Sequence, residues 1–259
     1  MATPQSESSL DQCEFLADYS ARLLGCGATC IRIEKNIDRI ARTWNKSVSL
    51  TIMPRHVLLS LMDKDGGNAV TVNSPMAKGP ISYELNSNLS RLSWQINDNR
   101  MPFAEAKSRY DRLTAPHPQS RAWVLFAVAC ANAAFCRLFG GDLMAMAVVA
   151  VATLAGYYIK QVLLERHVDT RVVWMVCALV SSVLGASDGL FHLGDTPDVA
   201  IATSVLYLVP GIPFINSFSD LIDGHYICAF SRFIDATILT ACLSVGLCCG
   251  MALMNVGMF

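Results

Sequence analysis

Charge is what this sequence has least of. Only 16% of its 259 residues are Asp, Glu, Lys or Arg, against 53% hydrophobic, and the formal net charge is −1. That balance is too apolar for an ordinary soluble domain of this length, so a membrane protein is the first class to test. A secretory signal is also missing: MATPQSESS is polar, without a basic start or an apolar core, so nothing points to export of the first half. No Cys/His cluster has zinc-ligand spacing. Six of the ten cysteines (Cys130, Cys136, Cys177, Cys242, Cys248 and Cys249) fall in apolar runs, where they read as small reduced hydrophobes. Cys26 and Cys30, spaced CxxxC, read as two positions of a helical turn. His56 and His117 lie far apart with no obvious nucleophile between them. No enzyme, metal, cofactor or nucleic-acid partner is expected.

The charge that is present is unevenly placed. Residues 1–121 hold 15 Lys/Arg and 12 Asp/Glu, leaving 5 and 9 for residues 122–259. The chain therefore reads as a cytoplasmic α+β domain over 1–119 and a transmembrane domain over 120–259. In the first, Ser9 and Gln12 suggest a capping box, followed by a helix to about Gly25. Ile33, Ile37, Ile40, Ala41 and Trp44 form the stripe of a second helix, whose Arg32, Lys35, Arg39 and Arg42 are expected on a solvated face. From Ser47 the period falls to two, and the alternation either side of the turn signal DKDGGN predicts a meander of about three strands. Leu85, Leu89, Leu92 and Ile96 predict a further helix, Pro102 opens another, and APHPQS at 115–120 is the expected linker.

Beyond it, uncharged runs cover 122–136, 143–159, 172–187, 199–219 and 236–259. With their apolar flanks each reaches the roughly 20 residues that cross about 30 Å of hydrocarbon. The fold class expected is therefore a polytopic α-helical membrane protein with five transmembrane helices and a soluble α+β domain before them. Lys107, Arg109, Arg112 and Arg121 precede the first span, and Lys160, Arg166 and Arg171 lie in the second connection, whereas FHLGDTPD in the third has no Lys or Arg. Positive charge on the cytoplasmic side then places the N-terminus inside. The lipid bilayer is the first partner implied.

The fourth run is the least membrane-like. LVPGIPFINSFSDLIDGH contains two prolines that remove backbone donors, so a new half-helix is expected from Gly211 near mid-membrane, with unpaired N–H groups suited to a carboxylate. Asn216 and Asp220 share one face beyond it. Arg232 stands three residues from Asp235, a spacing that permits a local ion pair, or it faces a cavity and receives a carboxylate. Pro210, Gly211, Pro213, Asn216, Asp220 and Arg232 are the candidate substrate-binding residues. Asp142 and Asp188, near span ends, are candidates for a proton relay. GLCCG, from Gly246 to Gly250, reads as a helix-packing face.

Four separated blocks carry a family resemblance. They are VPGIPFINSFSDLIDGH with SR at 231–232, GATCIRIEKNIDRIAR at 27–42, ACANAAFCRLFGGD at 129–142 and YYIKQVLLERH at 157–167. Together they resemble the bacterial threonine/serine exporter family, ThrE, most fully the YjjP-type subunits of its split form. The resemblance implies a soluble N-terminal domain before five spans, a location in the bacterial inner membrane, and a separately encoded YjjB-like partner, the complementary small membrane subunit. It also implies export of a small carboxylate, succinate or a related dicarboxylate, with threonine or serine as the alternative cargo and a non-transporting scaffold or regulatory subunit as a further one. It assigns no binding residue, so the site residues named above rest on their chemistry alone.

Overall fold

The structure, a computed structural model, describes residues 9–63, 69–77, 79, 81–115, 120–191 and 194–256. Two compact units divide the chain: one takes the residues to 116 together with 212–234, the other 117–211 together with 235–259. Residues expected to form one membrane domain from 120 onward are thus shared between the two.

In the first unit the predicted periodicities become elements in the predicted order. Helices α1 (Ser9–Gly25) and α2 (Cys30–Thr43) precede an antiparallel sheet of β1 (Lys46–Met53), β2 (His56–Asp63) and β3 (Val70–Pro75). Helices α3 (Tyr83–Asp98) and α4 (Phe103–Thr114) follow. Most of DKDGGN and of the linker APHPQS lies outside the described residues. The register pairs Val48 with Leu61, Leu50 with Leu59 and Ile52 with Val57, which sets one apolar face of the sheet against the helices. Val57, Leu59 and Leu61 are buried with Leu16, Leu23, Ile33, Ile37, Ile40, Leu89, Leu92 and Ile96 in one core. Ser82 begins α3 by accepting the Leu85 N–H at 3.2 Å.

The basic face of α2 is solvated as expected at Arg32, Lys35 and Arg42, which are exposed, whereas Arg39 is half-buried. Arg32 donates to Asn86 on α3, and Arg39 donates to Asn36 while its guanidinium lies 3.7 Å from the centre of the Trp94 ring. The Arg39 stem reaches across to the neighbouring helix, where the Trp94 face lies against its guanidinium, while Arg32 bonds to Asn86 from an exposed position.

In the second unit, α5 (Arg121–Leu138), α6 (Leu143–Glu165) and α7 (Thr170–Phe191) are long and apolar enough to cross a membrane, as is α10 (Tyr226–Leu253), which starts in the first unit and ends in this one. The fourth run is broken: α8 (Pro197–Ser204), a short 3-10 turn (Leu206–Leu208) and α9 (Gly211–Ile222) replace a single helix, with a bend of 62°. Among the described residues the helices therefore supply four spans, or five if the bent pair counts as one. Pro210 explains the break. It drives Val209 into an extended conformation and cannot donate to the turn before it, whereas Pro213 sits in the first turn of α9, where no N–H is needed. The restart at Gly211 is where the sequence placed it.

The GLCCG face packs as predicted. A Cβ on Gly246 would stand 2.3 Å from the Met175 carbonyl oxygen, and one on Gly250 would stand 1.8 Å from the Ser182 Oγ of α7. Only glycine permits that approach. Gly250→Leu is expected to lower stability by about 1–3 kcal/mol, the usual cost of overpacking. Thermal unfolding of the full-length protein in detergent would show it as a lowered midpoint, with Gly79→Ala, which meets nothing within 4 Å, as the neutral control.

Candidate functional site

Helix α9 is amphipathic with its faces exchanged. Asn216, Ser217 and Asp220 are buried, whereas Ile215, Phe218, Leu221 and Ile222 are exposed, Ile222 by 85%. Such a helix is at home where its outer face meets lipid or protein and its inner face meets polar backbone.

The polar backbone is the loop between α1 and α2, in the same unit. Asn216 Nδ2 donates to the Gly27 carbonyl at 2.8 Å, and the Cys30 N–H donates to Asp220 Oδ1 at 2.8 Å. Arg232 reaches Asp220 Oδ2 with one terminal nitrogen at 2.8 Å and the Ala28 carbonyl with the other at 2.8 Å. The local i, i+3 pairing with Asp235 that the sequence permitted gives way to this longer-range pair, because α9 brings a buried carboxylate to the guanidinium. Asp220 is 0% exposed and the Arg232 side chain 17%. Gly27 has φ +88°, a conformation that suits glycine and turns its carbonyl toward Asn216.

Asp220 acts as a remote cap. Helix α2 has no acidic residue in its first turn, and its N-cap Thr29 makes no side-chain cap bond. A carboxylate on Cys30 N–H therefore satisfies an orphan donor and meets the positive end of the helix dipole. The Cys30 thiol is pushed well above its ordinary value, first by its hydrogen bond with the Cys228 sulfur, then by burial and by the charge of Asp220. It stays a neutral thiol, in line with the reduced, packing role expected of the cysteines.

Of the six candidate substrate residues, the structure brings Asn216, Asp220 and Arg232 into one cluster. Pro210, Gly211 and Pro213 instead shape the break ahead of it. Asp142 and Asp188 converge elsewhere, in the second unit. Asp142 caps α6 by accepting the Ala145 N–H at 2.7 Å, and it also accepts the Asp195 N–H at 2.8 Å. These bonds hold its carboxyl below the usual carboxylate range. Asp188 is fully buried.

A polar seam inside the second unit was not singled out by the sequence. Asn132 donates to Thr153 Oγ1 at 2.7 Å and to the Thr203 carbonyl at 3.0 Å, and Ser181 and Tyr207 share a hydroxyl bond of 2.9 Å. Trp174 Nε1 donates to the Leu208 carbonyl at 2.7 Å, next to the helix break. The signal was an asparagine and several hydroxyls within uncharged runs. Counting charges alone passes over them.

A family model described as "Putative threonine/serine exporter", ThrE, matches residues 14–254. The chain belongs to the ThrE family. It is 25% identical over 233 residues to the "Probable succinate transporter subunit YjjP" of Klebsiella aerogenes, covering 89% of each chain. It is 26% identical over 226 residues to the protein of the same name from Escherichia coli strain K12, covering 86% of this chain and 87% of that one. The "Probable threonine/serine exporter" of Mycobacterium tuberculosis is 25% identical over 194 residues, 74% of this chain and 36% of that protein. No solved structure matches. The family and the apolar helices together establish a multi-pass membrane protein.

Two predictions follow from this geometry. Arg232→Met would leave Asp220 buried without its cation and should destabilise the protein by about 3–5 kcal/mol, the usual cost of orphaning a buried charge. The double variant Asp220→Asn with Arg232→Met should recover part of that loss in denaturant unfolding of the full-length protein. For Asp142 the folded value lies below the unfolded one, so its capping contribution is present above the ordinary carboxylate range and is lost as pH falls through the folded value. Acid titration followed by amide exchange should show the start of α6 opening at low pH. Asp142→Ala should open it at neutral pH.

Proposed function

We propose that this chain is one subunit of a heteromeric inner-membrane exporter of small carboxylates, with succinate or a related dicarboxylate as cargo. The partner is a YjjB-like membrane subunit of the complementary ThrE half, and the N-terminal domain is cytoplasmic. The names of the two relatives matched along most of their length support the subunit and the cargo class. The Lys/Arg asymmetry of the connections supports the orientation. Transporter names among the relatives favour an exporter over an enzyme.

The observation that carries the cargo class is the Arg232–Asp220 pair. Arg232 already holds a carboxylate at 2.8 Å, in a setting where its fork of donors suits another of the same shape. In this proposal a substrate carboxylate exchanges with Asp220 for the guanidinium. Asn216 adds a donor on the same face of α9. Export would then loosen the α1–α2 loop as Asp220 is displaced.

Efflux of labelled succinate and labelled threonine, measured in parallel from vesicles holding both subunits, tests this. Arg232→Lys should keep part of the succinate flux, and Arg232→Met at matched assembly should lose it at least tenfold, the scale of about 1.4 kcal/mol or more in recognition. Unchanged flux removes Arg232 from the pathway. The family model and the mycobacterial relative favour amino-acid cargo as the second reading, and threonine outcompeting succinate would establish it. The bonds of Asn216, Asp220 and Arg232 to the α1–α2 loop favour a scaffold role, in which their substitution changes recovery of the complex and leaves selectivity intact.

A further inference from the structure

The second unit contains a buried carboxylate that pairs with no cation among the described residues. Asp188, near the end of α7, is 0% exposed, and neither of its oxygens has a hydrogen-bond partner among the described residues. The second carboxylate, Asp142, is close by: a Cβ on Gly194 would stand 2.7 Å and 3.0 Å from the two Asp142 oxygens and 3.1 Å from Asp188 Oδ1. The absence of a side chain at Gly194 therefore leaves both carboxylates facing one small volume.

The two acids are treated differently by their neighbours. Asp142 is tied as an anion by the Ala145 and Asp195 N–H groups, and its own N–H donates to Thr196 Oγ1 at 3.0 Å. Asp188 has only the Gly194 backbone N–H turned toward it, with no bond of normal geometry among the described residues. A bare carboxylate in a buried place beside a second negative charge is strongly disfavoured, and a bound proton or a cation removes the cost. Two acids pushed apart in this way are the pattern of a proton-holding pair.

The charged groups facing Asp188 are few. Asp142 stands at the head of α6 and Asp195 in the connecting loop, and both add negative charge. Asp198 lies in the first turn of α8. On the α5 side, Arg137 is occupied with the Gly141 carbonyl at 3.1 Å. The part of α10 in this unit carries no acid or base beyond Asp235 and its cysteines. His192 lies outside the described residues.

We propose that Asp188 is a proton-binding site, with Asp142 as the fixed anion that holds the proton there and Gly194 as the gap through which it is reached. On the exporter reading, and in the orientation given above, this site opens to the outside, and the proton it takes up is the one exchanged for outgoing cargo. The step is a protonation of a carboxylate oxygen, with no other bond made or broken.

The site and its coupling can be tested separately. In pH-difference infrared spectra of the purified full-length chain in lipid nanodiscs, a carboxylic-acid C=O band is expected to report protonated Asp188. It should vanish in Asp188→Asn, move in Asp188→Glu, and shift in Gly194→Ala, whose methyl crowds both acids. Persistence of the same band in Asp188→Asn overturns the site, as does its loss on adding sodium at fixed pH, which would make this a cation site. If Asp188→Asn proves unstable, Asp188→Glu and Gly194→Ala carry the test, and a band unmoved in both overturns it. Efflux with the partner subunit then reads the coupling: Asp188→Asn should abolish the dependence on an outside-acid gradient. A band that behaves as expected beside an unaltered gradient dependence overturns only the link to export.

Discussion

One carboxylate, that of Asp220, closes the first unit. It meets the first free N–H of α2 on one side and the guanidinium of Arg232 on the other, with no solvent exposure of its own. Remove it and two groups lose a partner together: a helix start without a local cap, and a largely buried cation that keeps only the Ala28 carbonyl. Breaking one side of such a buried pair costs several kcal/mol, so the arrangement of α9 and the start of α10 against α1 and α2 is sensitive to this contact.

The same contact accounts for the composition of the broken helix. A proline-interrupted helix with apolar residues outward and polar residues inward fails as a uniform membrane span, yet it suits a segment whose buried neighbour is exposed backbone. Gly27, Ala28 and Cys30 supply two carbonyls and one N–H in a loop that glycine allows to turn sharply. A substrate carboxylate at Arg232 would have to displace part of this network, so cargo binding and the state of the N-terminal domain are linked by shared atoms in the proposed mechanism.

The second unit solves a different problem with the same economy of charge. Neutral polar atoms link its helices, Asn132 to Thr153 and the Thr203 backbone, Ser181 to Tyr207, Trp174 to the Leu208 carbonyl, while Ser182, Ser187, Ser204 and Thr240 bond within their own helices. Glycines at 246 and 250 bring α10 close to α7 without any polar contact being needed. Against that background Asp188 stands out as a buried acid with no hydrogen bond of normal geometry and no cation among the described residues.

Much of the architecture was legible in the residues. Apolar periods of 3.6 and 2 located three helices and three strands of the first unit, Pro102 marked the start of a fourth helix, and uncharged runs located the membrane helices, because those patterns record which face is buried. Pro210 marked the break and Gly211 the restart, since proline acts through its own covalent geometry. The polarity of Asn216, Asp220 and Arg232 marked them as candidates as well. What their polar atoms bind was decided only by the tertiary structure: Arg232 pairs across helices with Asp220 rather than three residues on with Asp235, and Asp220 caps a helix 190 residues earlier. Backbone carbonyls and N–H groups are the same in every sequence, so a partner made of backbone leaves no trace in residue type. The meeting of Asp142 and Asp188 at Gly194 was hidden for a related reason: it depends on a space left by an absent side chain, which exists only once the helices are packed.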